Sequence, residues 1–139
     1  MNGPEPSPSD VDLKNRLRSL GNCEIFSSSR HTLGFYKRLA NTCRYLAPTG
    51  EPIGSNDIHT IFEIALTKVV SQEASLCVGI AEESSNKSWF VRVDKIHPDD
   101  HLEWVKAGSD ADLLQIIEDQ QIHCFPDVRN RPPWKVTAV

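Results

Sequence analysis

The run SLCVGIAEE, a polar break, and then SWFVRVD restrict the fold more than any other part of this chain. In the first stretch Leu76, Val78 and Ile80 fall on one side and the small Cys77, Gly79 and Ala81 on the other. In the second, Trp89, Val91 and Val93 share a side. Alternation with a period of two is the pattern of a strand. With the polar ESSNKS between them the two stretches read as a hairpin, so the fold must contain a sheet.

Helical periods stand on either side of that hairpin. Ile58, Ile61, Phe62, Ala65, Leu66 and Val69 recur at helical spacing, with Ser55, Asn56 and Asp57 available as N-caps. They predict an amphipathic helix from about Asp57 to Gln72 whose stripe, with Trp89, Phe90 and Trp104, belongs to the core. A second helix is expected from about Asp110 to His123, with Ser109 and Asp112 as a cap pair, Leu113, Ile116 and Ile117 as the buried stripe, and Phe125 and Pro126 as its stop. HLEW suggests a short extended piece and WKVTAV a strand; YKRLANTCRYL, from Tyr36 to Leu46, also alternates loosely and is read as a strand followed by a turn through APTGEPIGSN. Strands and helices mixed in this order give an α+β fold, an antiparallel-rich mixed sheet with the two main helices on one face.

At 139 residues the chain fits one compact domain or part of a larger one, burying roughly two thirds of its unfolded surface. Met1 to about Ser9 carries Pro4, Pro6 and Pro8 among polar residues and cannot contribute a core. We therefore expect a disordered tail over residues 1–16 and a folded part over 17–139. A net charge of −4 without runs of like charge argues against a nucleic-acid partner. There is no apolar stretch long enough for a membrane span and no secretion signal at the start, so the expected location is cytoplasmic. Cys23, Cys43, Cys77 and Cys124 are scattered with no Cys-x-x-Cys spacing, and are read as buried free thiols.

Read in order, LGNCEIFSSSRHTLGFYKRLANTCRYLAP, ALTKVVSQEASLCVGIAEE, SWFVRVDKI with HLEW, and DLLQIIEDQQIHCFPDVRNRPPWKV resemble the N-terminal part of the fungal alcohol acetyltransferase family. That family lies within the chloramphenicol acetyltransferase-like and condensation-domain superfamily. The most distinctive residues are Arg30-His31-x-Leu33-Gly34-Phe35-Tyr36 and the Pro133-Trp134-Lys135 approach to the last strand; where the family often has His-Pro after the long helix, this chain has Glu73-Ala74. The resemblance implies a half-domain of a longer enzyme with a tunnel between two similar halves, which moves an acyl group, with acetyl-CoA as co-substrate, to an alcohol. It also implies a catalytic His-His-x-x-x-Asp-Gly beyond the strand WKVTAV, with a histidine as general base. The chain as given would then lack the catalytic residues, be inactive alone, hold no bound cofactor and tend to self-associate.

Three local patterns compete as sites. His123 to Asp127 spells His-x-x-x-Asp, but by order of elements it falls at a helix end before PPWKV, and Val128 follows the aspartate; it is read as structural, and no catalytic residue is assigned. HPDDH carries His97, Asp99, Asp100 and His101, yet Pro98 opposes a regular helix that would place both histidines on one face, so a solvated turn is expected and no metal site. Arg30 and His31 close SSSRH; a loop whose Arg and His bond backbone groups competes with a contact to acyl donor or acceptor, and they are the candidate substrate-binding residues. RNRPPWK as a ligand for a proline-binding module is disfavoured, because Trp134 opens an alternating strand. No glycine-rich phosphate loop and no Gly-x-Ser-x-Gly elbow occurs. Two functions therefore stand: the N-terminal portion of an acyl-CoA-dependent alcohol O-acetyltransferase, or a stand-alone half-domain kept as a small-molecule or protein-binding module. A new enzyme built on Arg30 and His31 ranks below both.

Overall fold

The computed structural model describes residues 14–35, 37–46, 54–83, 85 and 87–139. The proline-rich start, Tyr36 and the turn expected over 47–53 lie outside the described residues. The chain divides into two units, one from Met1–Ala40 and Cys77–Val139, the other from Asn41–Leu76.

The first unit holds both sheets. β1 (Arg16–Ser19), β2 (Val78–Ala81) and β3 (Trp89–Arg92) form an antiparallel sheet in the order β1-β3-β2. The predicted hairpin is thus present, in register from Val78 opposite Arg92 to Ala81 opposite Trp89. Its buried side is the one with small side chains. Gly79 and Ala81 are buried while Val78 and Ile80 are half-buried, because the segment after the last long helix is pressed onto β2. The Ile80 N–H donates to the Val128 carbonyl at 2.8 Å, and a Cβ on Gly79 would fall on the carbonyl oxygens of Arg129 and Val128, 2.6 Å from the latter. Only a glycine allows that approach. Leu20, Ala81, Val91 and Val128 make the small apolar core; Trp89, Phe90 and Trp104, expected within it, are half-buried.

β4 (Leu102–Trp104) and β5 (Val136–Ala138) pair in parallel, Leu102 opposite Val136 and Trp104 opposite Ala138. Parallel neighbours require a long crossover. Here it contains the helix Asp110–Ile122, capped as expected: the Ser109 hydroxyl accepts from the Asp112 N–H at 3.2 Å, and the Asp112 carboxylate accepts from the Gly108 N–H at 2.9 Å. Leu113, Ile116 and Ile117 are half-buried. The mixed α+β class is as the two periods predicted.

Ahead of β2 the first unit has a helix that the periodicity did not reveal, α1 (Asn22–Thr32). At its start the Glu24 carboxylate accepts from the Gly21 N–H at 2.6 Å and from both terminal nitrogens of Arg18 at 2.6 and 2.8 Å. These contacts, the Arg18 hydrogen bonds first, lower the Glu24 pKa to about 2. At its end Gly34 sits at φ +74°, with Gly34 N–H donating to the His31 carbonyl and Phe35 N–H to the Arg30 carbonyl, each at 3.0 Å. That pair of bonds is a Schellman motif, which takes glycine in the left-handed conformation. SSSRH is accordingly the last turn of a helix rather than a loop.

The second unit contains α2 (Ser55–Gln72). The predicted helix is present, but its start differs: Gly54 occupies the cap position, and the Asp57 N–H donates to the Gly54 carbonyl at 3.0 Å, so Ser55, Asn56 and Asp57 form the first turn. Its stripe is not a core, since Ile58, Ile61, Ala65 and Val69 are exposed and Phe62 and Leu66 half-buried. Among the described residues of its unit, no strand or second long helix offers a layer against which to close a core. Residues 41–46, with 37–40 of the first unit, carry no strand, and Leu39, Tyr45 and Leu46 are exposed. The loose alternation there lacks the strand partner that would make it a ladder.

The crossover helix is called α4 below; α3 is the single turn Pro98–His101. None of the four cysteines is in a disulfide, but Cys23, Cys43 and Cys124 are exposed and Cys77 half-buried, so the buried thiols expected from their neighbours are not found. Among the described residues no helix is long and apolar enough to cross a membrane.

Candidate functional site

The C-terminal turn of α1 meets the segment that leaves α4, and the contact is built on His31. The Nε2 atom of His31 accepts the Phe125 N–H at 3.0 Å, so that nitrogen is unprotonated and Nδ1 carries the proton. Nδ1 donates to Glu83 Oε1 at 2.8 Å. Ser28, one turn back on the same face, is buried and donates to the same carboxylate oxygen at 3.3 Å. His31 and Glu83 are 14% and 19% exposed at their side chains. This is a histidine oriented by a carboxylate, as in many general bases, except that its lone pair is occupied by a backbone amide. Its partner Arg30 places its guanidinium 5.4 Å from the Phe26 ring on the same helix.

Phe125 carries the connection onward. Arg38 lies over its ring at 4.0 Å and reaches the Gln120 side chain at 3.0 Å and the Cys124 carbonyl at 3.1 Å. Burial lowers the Arg38 pKa from its ordinary value, with the Cys124 thiol acting in the opposite direction. Arg38, His101, His123, Cys124, Phe125 and Trp134 are among the walls of an open groove of about 710 Å³. Neither Arg30 nor His31 is among its lining residues.

His123 stands at the C-cap of α4, and its Nδ1–H donates to the Asp119 carbonyl at 2.8 Å. Asp127, at φ +48°, turns its carboxylate to the Asn130 amide at 3.0 and 3.1 Å. The two are therefore engaged separately, and the His-x-x-x-Asp spacing marks a helix end and the turn that follows. HPDDH differs from expectation. It forms α3 with Pro98 in its first turn, and His101 is 3% exposed, stacked on Trp134 at 4.1 Å with Nδ1–H donating to the Trp134 carbonyl at 2.9 Å. A proline is tolerated at the first helical position because no N–H is needed there, so the turn is helical and its last histidine is packed rather than solvated. Among the described residues no three His, Cys, Asp or Glu side chains converge to hold a metal ion.

Glu83, Ser28, Arg38 and the Phe125 amide were not legible beforehand. Glu83 lies 52 positions from His31 and Phe125 lies 94, and no local spacing announces such partners.

No family model and no solved structure matches this chain. It is 25% identical over 123 residues to the "Probable alcohol acetyltransferase FCK4" of Fusarium pseudograminearum (strain CS3096). The match covers 88% of this chain and 25% of that protein, so the chain spans about a quarter of the length of the curated relative it matches. The chain is a distant relative of that alcohol acetyltransferase.

Proposed function

We propose that this chain is the N-terminal portion of an alcohol O-acetyltransferase-like protein that uses an acyl-CoA, acetyl-CoA in particular, and is inactive by itself. The observation that carries the reading is the breadth of the match, 88% of the chain, to a quarter of a protein named for that activity. Two further features agree with it. The fold is mixed α+β, and neither local histidine candidate is set as a base: the Nε2 lone pair of His31 is taken by the Phe125 amide, and the Asp127 carboxylate that would support His123 is turned to Asn130. Under this reading the general base comes from residues outside this chain. Arg30 and His31 are the proposed substrate-side residues, and because neither lines the groove, His31 would act on it as a positioning residue through Phe125.

The experiment is an acetyl-transfer assay with acetyl-CoA and a panel of alcohols on the 139-residue chain. No turnover above the uncatalysed rate is expected. Turnover that disappears in His31→Ala with the fold intact would show that the chain carries its own active centre and would end the proposal.

A further inference from the structure

The helix α2 is apolar on two opposite sides. At about 100° of rotation per residue, Phe62, Leu66 and Val70 share one side, and all three are half-buried. On the other side, centred about 170° away by the same rotation, lie Asp57, Ile61, Ile64 and Lys68, all exposed. Ile58 and Ala65, also exposed, extend that apolar surface along one edge.

Asp57, Ile61, Ile64 and Lys68 follow one another at steps of four, three and four residues, the spacing of a coiled-coil seam. The seam is also its own complement. Asp57 stands four residues before Ile61, and Lys68 four residues after Ile64. A second seam turned end for end therefore sets isoleucine against isoleucine and carboxylate against ammonium. A parallel pair would set Asp57 against Asp57 and Lys68 against Lys68, a repulsive arrangement. Glu63, the remaining carboxylate of α2, lies off the seam. Among the described residues no ion pair engages Asp57 or Lys68.

We propose that α2 pairs with α2 of a second copy of this chain, antiparallel about a two-fold axis, with Ile61 of each opposite Ile64 of the other and Asp57 opposite Lys68. The two central apolar layers supply the attraction, and the ion pairs at both ends fix orientation and register. One self-complementary patch is what a two-fold interface requires, so association through it stops at two chains. The seam is about 18 Å long at the helical rise per residue. Its contact therefore falls at the small end of specific interfaces, and a reversible pair is expected. The assignment is independent of acetyl transfer.

The test is sedimentation equilibrium of the 139-residue chain over a range of concentrations. The mass is expected to rise from one chain and level at two. Lys68→Glu puts carboxylates at both ends of the seam, and Asp57→Lys puts ammonium groups there. Each variant alone is expected to associate at least tenfold more weakly, and an equimolar mixture of the two to recover the parent's affinity. Asp57 lies in the first helical turn, where a cation is unfavourable. Where Asp57→Lys loses helical circular dichroism, Lys68→Glu alone is followed against sodium chloride. Salt is then expected to weaken the parent pair and to strengthen that of the variant, because it screens attraction in one and repulsion in the other. A chain that stays single at every concentration, a mass that passes two chains, variants that associate as the parent does, or a mixture of folded variants no tighter than its components would overturn the pairing.

Discussion

Side chains here are committed by their protons. The His31 ring has Nε2 accepting and Nδ1 donating, so its ¹⁵N signals are expected to be pyridine-like at Nε2 and pyrrole-like at Nδ1; the reverse pattern would remove the basis of the Phe125 contact. His31→Ala strips that amide of its acceptor and leaves Glu83 with Ser28 alone. Urea unfolding is expected to show a loss of about 1–3 kcal/mol, the cost of an unsatisfied, partly buried donor. Glu24 offers a pH test. Its folded pKa of about 2 lies below the ordinary 4.5, so the stabilisation is present above 4.5 and is lost as pH falls from there towards 2. A stability profile of Glu24→Gln should lack that acid limb, and the carboxyl resonance of Glu24 in the parent should titrate near 2. Of the two readings the sequence offered for His31, a loop residue bonded to backbone or a substrate contact, the backbone bond is present, although in the last turn of a helix. It missed Glu83, since a contact across 52 positions has no periodic signature.

Among elements, legibility followed the apolar pattern. The hairpin, α2, α4 and both parallel strands were readable because their branched and aromatic residues repeat at two or at 3.6. α1 was hidden because NCEIFSSSRHT carries only Ile25 and Phe26 as large apolar residues among three serines. Its existence rests on its two ends instead, the Glu24 carboxylate at Gly21 and the Schellman turn at Gly34. Replacing Gly34 by alanine forces a side chain into the left-handed region and is expected to cost about 1–2 kcal/mol in urea unfolding, with helical signal lost first around residues 30–35. Gly79→Ala acts differently, by driving a methyl into the carbonyls of Val128 and Arg129. A cost of about 1–3 kcal/mol is expected from overpacking, and the Ile80 amide should exchange faster because its bond to Val128 must open. Period also told which face of α2 was apolar without telling whether anything covers it, and that is why its stripe was mistaken for core.

For the molecule as a whole, the exposed apolar side chains set the solution behaviour. Ile61 is 58% exposed, Ile64 64% and Leu46 88%, and such surface favours association. Sedimentation is expected to show mass rising with concentration, and Ile61→Glu with Ile64→Glu to return the chain towards monomer; a monodisperse parent would refute this. The two-unit division has a consequence of another kind. Because the first unit is assembled from chain on both sides of Asn41–Leu76, that stretch must also let Ala40 and Cys77 take their places. The entropy of such a closure grows only with the logarithm of its length, about 0.6 kcal/mol for each doubling. Flexible residues inserted beside the helix of that stretch are therefore expected to cost the sheets little, less than one added methyl at Gly79.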